Sequence, residues 1–94
     1  MDSRIEELPG LRFENLIYNP RNILVDIVNM TDRNVLFGGT MVFLDRYGHP
    51  LASARLLPKK VERNAVKRYT GYFIEGSGEM ARRAVRVTWD FGAR

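Results

Sequence analysis

The chain has no cysteine, so neither a disulfide framework nor thiolate metal or redox chemistry can hold it, and its core must rest on apolar burial. Histidine is nearly as scarce. A catalytic triad or a histidine-based metal site would have to be built around His49 alone, in the turn sequence Gly48-His49-Pro50, and a plain turn residue is the simpler reading. No apolar run approaches the ~18 residues of a membrane span. Met1 to Pro9 lacks the basic and apolar regions of a signal peptide. The given chain is therefore expected to carry no transmembrane segment, and a leader or anchor replaced by Met1 is equally consistent with these residues.

Sites for chemistry are also thin. Gly76-Ser77-Gly78 has a superficial likeness to a nucleophile turn or an anion-binding nest, but the longer nucleophile-elbow pattern is absent and the segment reads as a hairpin turn. Acid–base or glycosidase work needs two carboxylates about 5–10 Å apart in a cleft. Asp26, Asp45, Glu75, Glu79 and Asp90 are the available ones. Asp45 is better placed to cap its own turn, and Asp26 and Asp90 to face solvent among cross-strand arginines. No catalytic, cofactor-binding or metal-ligating residue is assigned, and the expected class is a non-enzymatic module. Asn29-Met30-Thr31 is formally a glycosylation acceptor, but a turn built on Asn and Thr explains it without modification.

What is present is β pattern. With 94 residues, 45% of them hydrophobic and 28% charged, the composition is that of one small globular domain. Asn22 to Asn29, a turn through Asn34, and Val35 to Asp45 read as a long hairpin, followed by a sharp exit at Arg46 to Pro50. Successive side chains of a strand point to opposite faces, so Ile23, Val25 and Ile27 share one side of the second strand while Leu24, Asp26 and Val28 share the other. Before it, Leu11 to Tyr18 forms a first strand closed by a turn at Asn19 to Asn22. Residues 1–10 read as an arm or a single helical turn capped by Asp2 or Ser3. Gly38-Gly39 in the third strand predicts a bulge or bend.

Further on, Leu51 to Pro58 reads as a short edge strand, blunted by Pro58 and Lys59-Lys60. Val61 to Glu75 reads as one long strand of undecided facing. In the last strand Val85, Val87, Trp89 and Phe91 fall on one face, which predicts a central core position for Trp89. Six to seven strands, with no convincing helix and no repeat, predict an all-β antiparallel immunoglobulin-like sandwich over 11–94, with a small closed barrel as the alternative. An oligonucleotide-binding barrel lacks its usual helix between strands three and four.

Charge is unevenly distributed. Residues 1–50 carry five Arg and Lys against seven Asp and Glu, and residues 51–94 carry ten against four. Lys59, Lys60, Arg63, Lys67, Arg68, Arg82, Arg83 and Arg86 are the candidate anion-binding residues, with Tyr69 and Tyr72 as candidate stacking surfaces. They make a nucleic-acid-binding β domain the alternative function. A solvated basic face is the plainer reading.

Val25-x-Ile27-x-Asn29-x-Thr31, followed by Met41-Val42-Phe43-Leu44-Asp45-x-x-Gly48, resembles the pattern of FxLYD-type and related immunoglobulin-like domains of bacterial envelope proteins and small envelope lipoproteins. The resemblance covers roughly residues 11–91 and departs from the named motif where Met41 stands for the first Phe and Leu44 for the Tyr. It implies a sandwich without catalytic residues, and a binding or structural role in an envelope or secreted assembly, with a cell-envelope or extracytoplasmic location. It also implies that Ile23, Val25, Ile27, Met41 and Phe43 point inward. Leu24, Val28, Val42 and Leu44 would then point outward as an apolar patch to be covered by a protein partner, a second copy, or Ile5, Leu8 and Leu11 of the arm.

Overall fold

A computed structural model describes residues 4–92. The elements in order are β1 (Leu11–Tyr18), β2 (Asn22–Asn29), β3 (Val35–Leu44), β4 (Pro50–Val61), β5 (Val66–Glu75), α1 (Gly78–Arg82) and β6 (Arg86–Asp90). The six strands form one antiparallel sheet in the order β1-β2-β5-β4-β3-β6. The all-β antiparallel expectation holds, with the strands joined in one sheet that curls into a half-barrel. The curl brings the ends of the order together: the Phe13 ring of β1 lies 4.8 Å from the Trp89 ring of β6.

The inner face follows the period of two. Ile23, Val25 and Ile27 of β2, Met41 and Phe43 of β3, Ala52, Ala54 and Leu56 of β4, Tyr69 of β5 and Val87 of β6 are buried together. The small residues Ala52 and Ala54 leave room for Phe43, which lies opposite Ala52 in the β3–β4 register. Gly71 is equally constrained, because a Cβ there would lie 2.9 Å from Ile23 and 3.0 Å from Leu56.

Several expectations are corrected. β2 and β3 do not pair as a hairpin; β2 lies between β1 and β5, and β3 between β4 and β6. The link between them carries the chain across the end of the sheet, and a buried amide fixes it. Asn29 Nδ2 donates to the carbonyls of Arg33 (2.7 Å) and Val61 (3.0 Å), while its Oδ1 accepts from the Thr31 amide (2.9 Å) and hydroxyl (2.7 Å). Every capacity of that amide is used. The Asn-plus-Thr turn is thus as expected, but its anchors are long-range.

β4 is a central strand, not an edge. Pro58 is tolerated there because β4 bulges: three steps from Leu56 to Lys59 oppose two from Gly39 to Phe37, so the missing N–H falls where the ladder is interrupted. The bend expected at Gly38-Gly39 is this irregularity. A Cβ on Gly38 would meet the Pro58 backbone at 2.6 Å. The expected single strand from Val61 to Glu75 is broken by a turn between Val61 and Val66. Gly76-Ser77-Gly78 opens a one-turn helix instead of a hairpin, with Ser77 as its N-cap.

Residues 4–10, the described part of the arm, do not form a helical turn. Arg4 and Glu6 bracket a parallel bridge between Ile5 and Val87, with Glu6 N donating to Val87 O and Val87 N to Arg4 O, both at 2.8 Å. Ile5 is only 5% exposed and belongs to the core, so the arm covers the free edge of β6 rather than the outer face. The Asp2 or Ser3 cap lies outside the described residues. On β6, Val87 is fully buried and Trp89 only half-buried, while Val85 and Phe91 are exposed. The strand runs only from Arg86 to Asp90, so the alternation that predicts a central Trp89 loses its outer members to the flanks.

Candidate binding surfaces

The outer face of the sheet is set by the residues that alternate with the core. On β5 these are Val66, Arg68, Thr70, Tyr72 and Ile74, since Tyr69 and Gly71 are buried. Register places Leu24 of β2 beside Thr70 and Ile17 of β1 beside Leu24. Arg55 of β4 lies beside Tyr72, and Leu57 follows on the same strand. Ile17, Leu57, Tyr72 and Ile74 are 42–58% exposed. Together with half-buried Leu24 they make an apolar strip across four neighbouring strands.

Beside the strip the charges are neutralised on the sheet itself. Arg68 Nε donates to Asp26 at 2.8 Å, and Asn15 Nδ2 donates to the other carboxylate oxygen at 2.9 Å. The Arg68 hydrogen bond, followed by that from Asn15, holds the Asp26 carboxyl below its ordinary range. This is the cross-strand arginine partnership expected for Asp26.

The four-residue patch read from the sequence is divided. Leu24 and Val28 lie on β2 and Val42 and Leu44 on β3, with β5 and β4 between them. Val42 is half-buried and Leu44 buried. The strip contains one of the four, Leu24. Tyr72 and Ile74 escape sequence reasoning because the mixed pattern of Val61 to Glu75 leaves the facing of β5 undecided; the alternation of Arg68, Thr70, Tyr72 and Ile74 with Tyr69, Gly71 and Phe73 is the signal that locates them.

The basic residues fall into two groups. Lys59, Lys60, Arg63, Lys67 and Arg68 lie on the end of β4, the following turn and the start of β5, whereas Arg82, Arg83 and Arg86 lie on α1, its C-cap and β6. Arg83 pairs with Glu79 at 3.6 Å, and Arg82 stacks over Tyr18 at 5.3 Å. Of the two candidate stacking tyrosines, Tyr72 is exposed and Tyr69 is fully buried. The Tyr69 hydroxyl lies 2.7 Å from the Phe37 carbonyl and 3.0 Å from that of Lys59; with one proton to give, it donates to one at a time.

His49 is exposed. Asp45 accepts the Tyr47 amide at 2.8 Å and the His49 amide at 2.9 Å, the turn-capping role expected of it, and the His49 amide is the main cause of its lowered pKa. Asp90 accepts the Gly92 amide at 2.9 Å. The Ser77 hydroxyl accepts the Met80 amide at 3.4 Å. Among the described residues no three His, Cys, Asp or Glu side chains converge as a metal-holding group, and no helix is long and apolar enough to cross a membrane. None of the protein-family models, curated proteins or solved structures compared with the chain matches it.

Proposed function

We propose that the protein is a non-catalytic interaction module whose contact surface is the outer face of β2, β5 and β4, and whose partner on that face is a second copy. The observation that carries this is the apolar strip of Ile17, Leu24, Leu57, Tyr72 and Ile74, which the monomer leaves in water at the middle of its sheet. Contiguous exposed apolar surface marks contact sites. A strip bordered by the internally neutral Asp26–Arg68 pair and by Arg55 has the apolar centre and polar rim of an interface. The carboxylates of Asp26 and Glu14, which lie opposite each other on β2 and β1, are each paired with an arginine of the same sheet, so they present no free negative charge to a second copy. Face-to-face packing would add a second sheet about 10 Å away, a sandwich made between copies. The resemblance to immunoglobulin-like envelope domains supports an envelope or secreted setting for such an assembly.

Covering the exposed half of each of these side chains is worth roughly 1 kcal/mol. Set against the cost of association, that gives a Kd on the order of 10–100 μM. Sedimentation across this concentration range tests it. The chain should dimerise, and Leu57→Ser/Tyr72→Ser should remain monomeric with its unfolding free energy little changed. A strictly monomeric parent would overturn the homotypic contact, and a strongly destabilised double variant would show the strip to be part of the fold.

A further inference from the structure

A different surface carries a second kind of partner. The loop between β2 and β3 and the turn between β4 and β5 lie side by side at one end of the sheet. Asn29 N donates to Ala65 O at 2.9 Å, Asn29 Nδ2 to Val61 O at 3.0 Å, and Arg63 N to Asn34 Oδ1 at 3.0 Å. Residues 30–36 and 59–68 form this end. They hold six Arg and Lys against two Asp and Glu, a net charge of +4 equal to that of the whole chain, so the remainder carries nine of each sign. The same end exposes Met30 (56%), Leu36 (75%) and Val66 (59%). Leu36 lies directly opposite Lys60 in the β3–β4 register, and Val66 lines one recess of about 310 Å³ with Lys60, Glu62, Ala65 and Lys67.

We propose that this end docks on an anionic lipid surface, with Lys60, Arg63 and Lys67 meeting headgroups and Met30, Leu36 and Val66 entering the interface. Two physical features select this partner. Basic charge without insertion, or a few inserted side chains without charge, gives only marginal membrane binding, and stable attachment takes both. Both are present here within two adjacent loops. A single-stranded nucleic acid would use aromatic faces between the cations, yet Tyr69, at the start of β5, is buried with its hydroxyl on backbone carbonyls, and the exposed apolar side chains beside the lysines, Leu36 and Val66, are aliphatic. Arg68 is tied to Asp26 and Lys59 lies 5.5 Å over the Tyr69 ring, which leaves the other cations as the headgroup contacts. Asp32 and Glu62 share a recess with Asn34 and Arg63 and oppose the attraction, so the charge alone is modest and the aliphatic side chains are required.

Co-sedimentation of the full chain with phosphatidylcholine vesicles, with and without one third phosphatidylglycerol, tests this at low and moderate salt. Binding is expected to the anionic vesicles only. At roughly fivefold per charge, Lys60→Gln/Lys67→Gln should weaken partition about 25-fold, and Glu62→Gln should strengthen it about fivefold. Leu36→Ser, at unchanged charge and a largely exposed position, should weaken it several-fold. The Leu57→Ser/Tyr72→Ser variant should bind vesicles like the parent, which separates this surface from the protein contact. Absence of binding to anionic vesicles at low salt overturns the proposal. So does binding that Leu36→Ser leaves unchanged, or a tighter interaction with a single-stranded oligonucleotide than with the vesicles.

Discussion

Replacing Asn29 by alanine should be among the costliest single changes available to this chain. The side chain is fully buried and makes four hydrogen bonds that tie β2, the following loop and the end of β4 together. Truncation leaves the Val61 carbonyl and the Thr31 amide without these partners, whereas the Thr31 hydroxyl, its proton released from Asn29, turns to the Arg33 carbonyl 3.0 Å away. An unsatisfied buried group costs about 1–3 kcal/mol. Two such groups, with some relief by water entering from the loop, give a loss of about 3–4 kcal/mol. Total stability for a domain of this size is roughly 5–14 kcal/mol, so the variant should be marginal.

Asn29→Asp sharpens the test, since it keeps the shape but turns two donors into an acceptor facing two carbonyls. Burial and those carbonyls must raise the Asp pKa in the folded state. A raised pKa means stability that is present below the unfolded value, about 4, and lost as pH rises through the folded one. The variant should therefore gain stability on acidification relative to the parent. Urea denaturation followed by fluorescence of the single tryptophan, Trp89, measures both effects. A loss under about 1 kcal/mol for Asn29→Ala, or an Asn29→Asp variant with no acid-dependent recovery, would refute the view that this amide holds the two loops.

Ile5→Ala should cost about 2–4 kcal/mol, the range for truncating a buried aliphatic side chain, and calorimetry would then show the arm melting with the sheet as one transition. A loss within about 0.5 kcal/mol, as is usual for a surface site, would mean that Ile5 does not belong to the core. Tyr69→Phe should cost about 1–2 kcal/mol through the lost carbonyl contact. Burial raises the Tyr69 pKa, so its contribution is complete below the unfolded value, about 10, and is lost as pH rises through the folded one. Denaturation from pH 8 to 11 should show less alkaline destabilisation in the Phe variant than in the parent, and identical profiles would contradict the assignment.

Strand identity is legible in the sequence where one face is fully apolar. Ile23, Val25 and Ile27 declare the inner side of β2 by their alternation alone, and Asp45 with Gly48 declares the turn after β3. Pairing is not legible, because nothing in the alternation of β2 or β3 names a neighbour. That choice is made by the long-range bonds of Asn29 and by the length of β4, whose run past Pro58 depends on a bulge that makes room for a missing N–H. The strip on the outer face is hidden for the same reason: Tyr72 and Ile74 read equally well as core until Tyr69, with its hydroxyl on two carbonyls, fixes the phase of β5. The place of Ile5 is hidden too, because a parallel bridge to β6 leaves no periodic trace in three residues.

The outer face as a contact between copies is tested most directly by cysteine cross-linking, since the chain has no native cysteine. Thr70 lies within the strip beside Leu24, and Thr88 lies on the outer face of β6, two strands beyond β4. With a short bismaleimide at tens of micromolar protein, Thr70→Cys is expected to give a covalent dimer much faster than Thr88→Cys, and the Leu57→Ser/Tyr72→Ser changes should abolish the difference. Equal cross-linking rates at the two positions, or a Thr70→Cys rate that those changes leave untouched, would contradict the account.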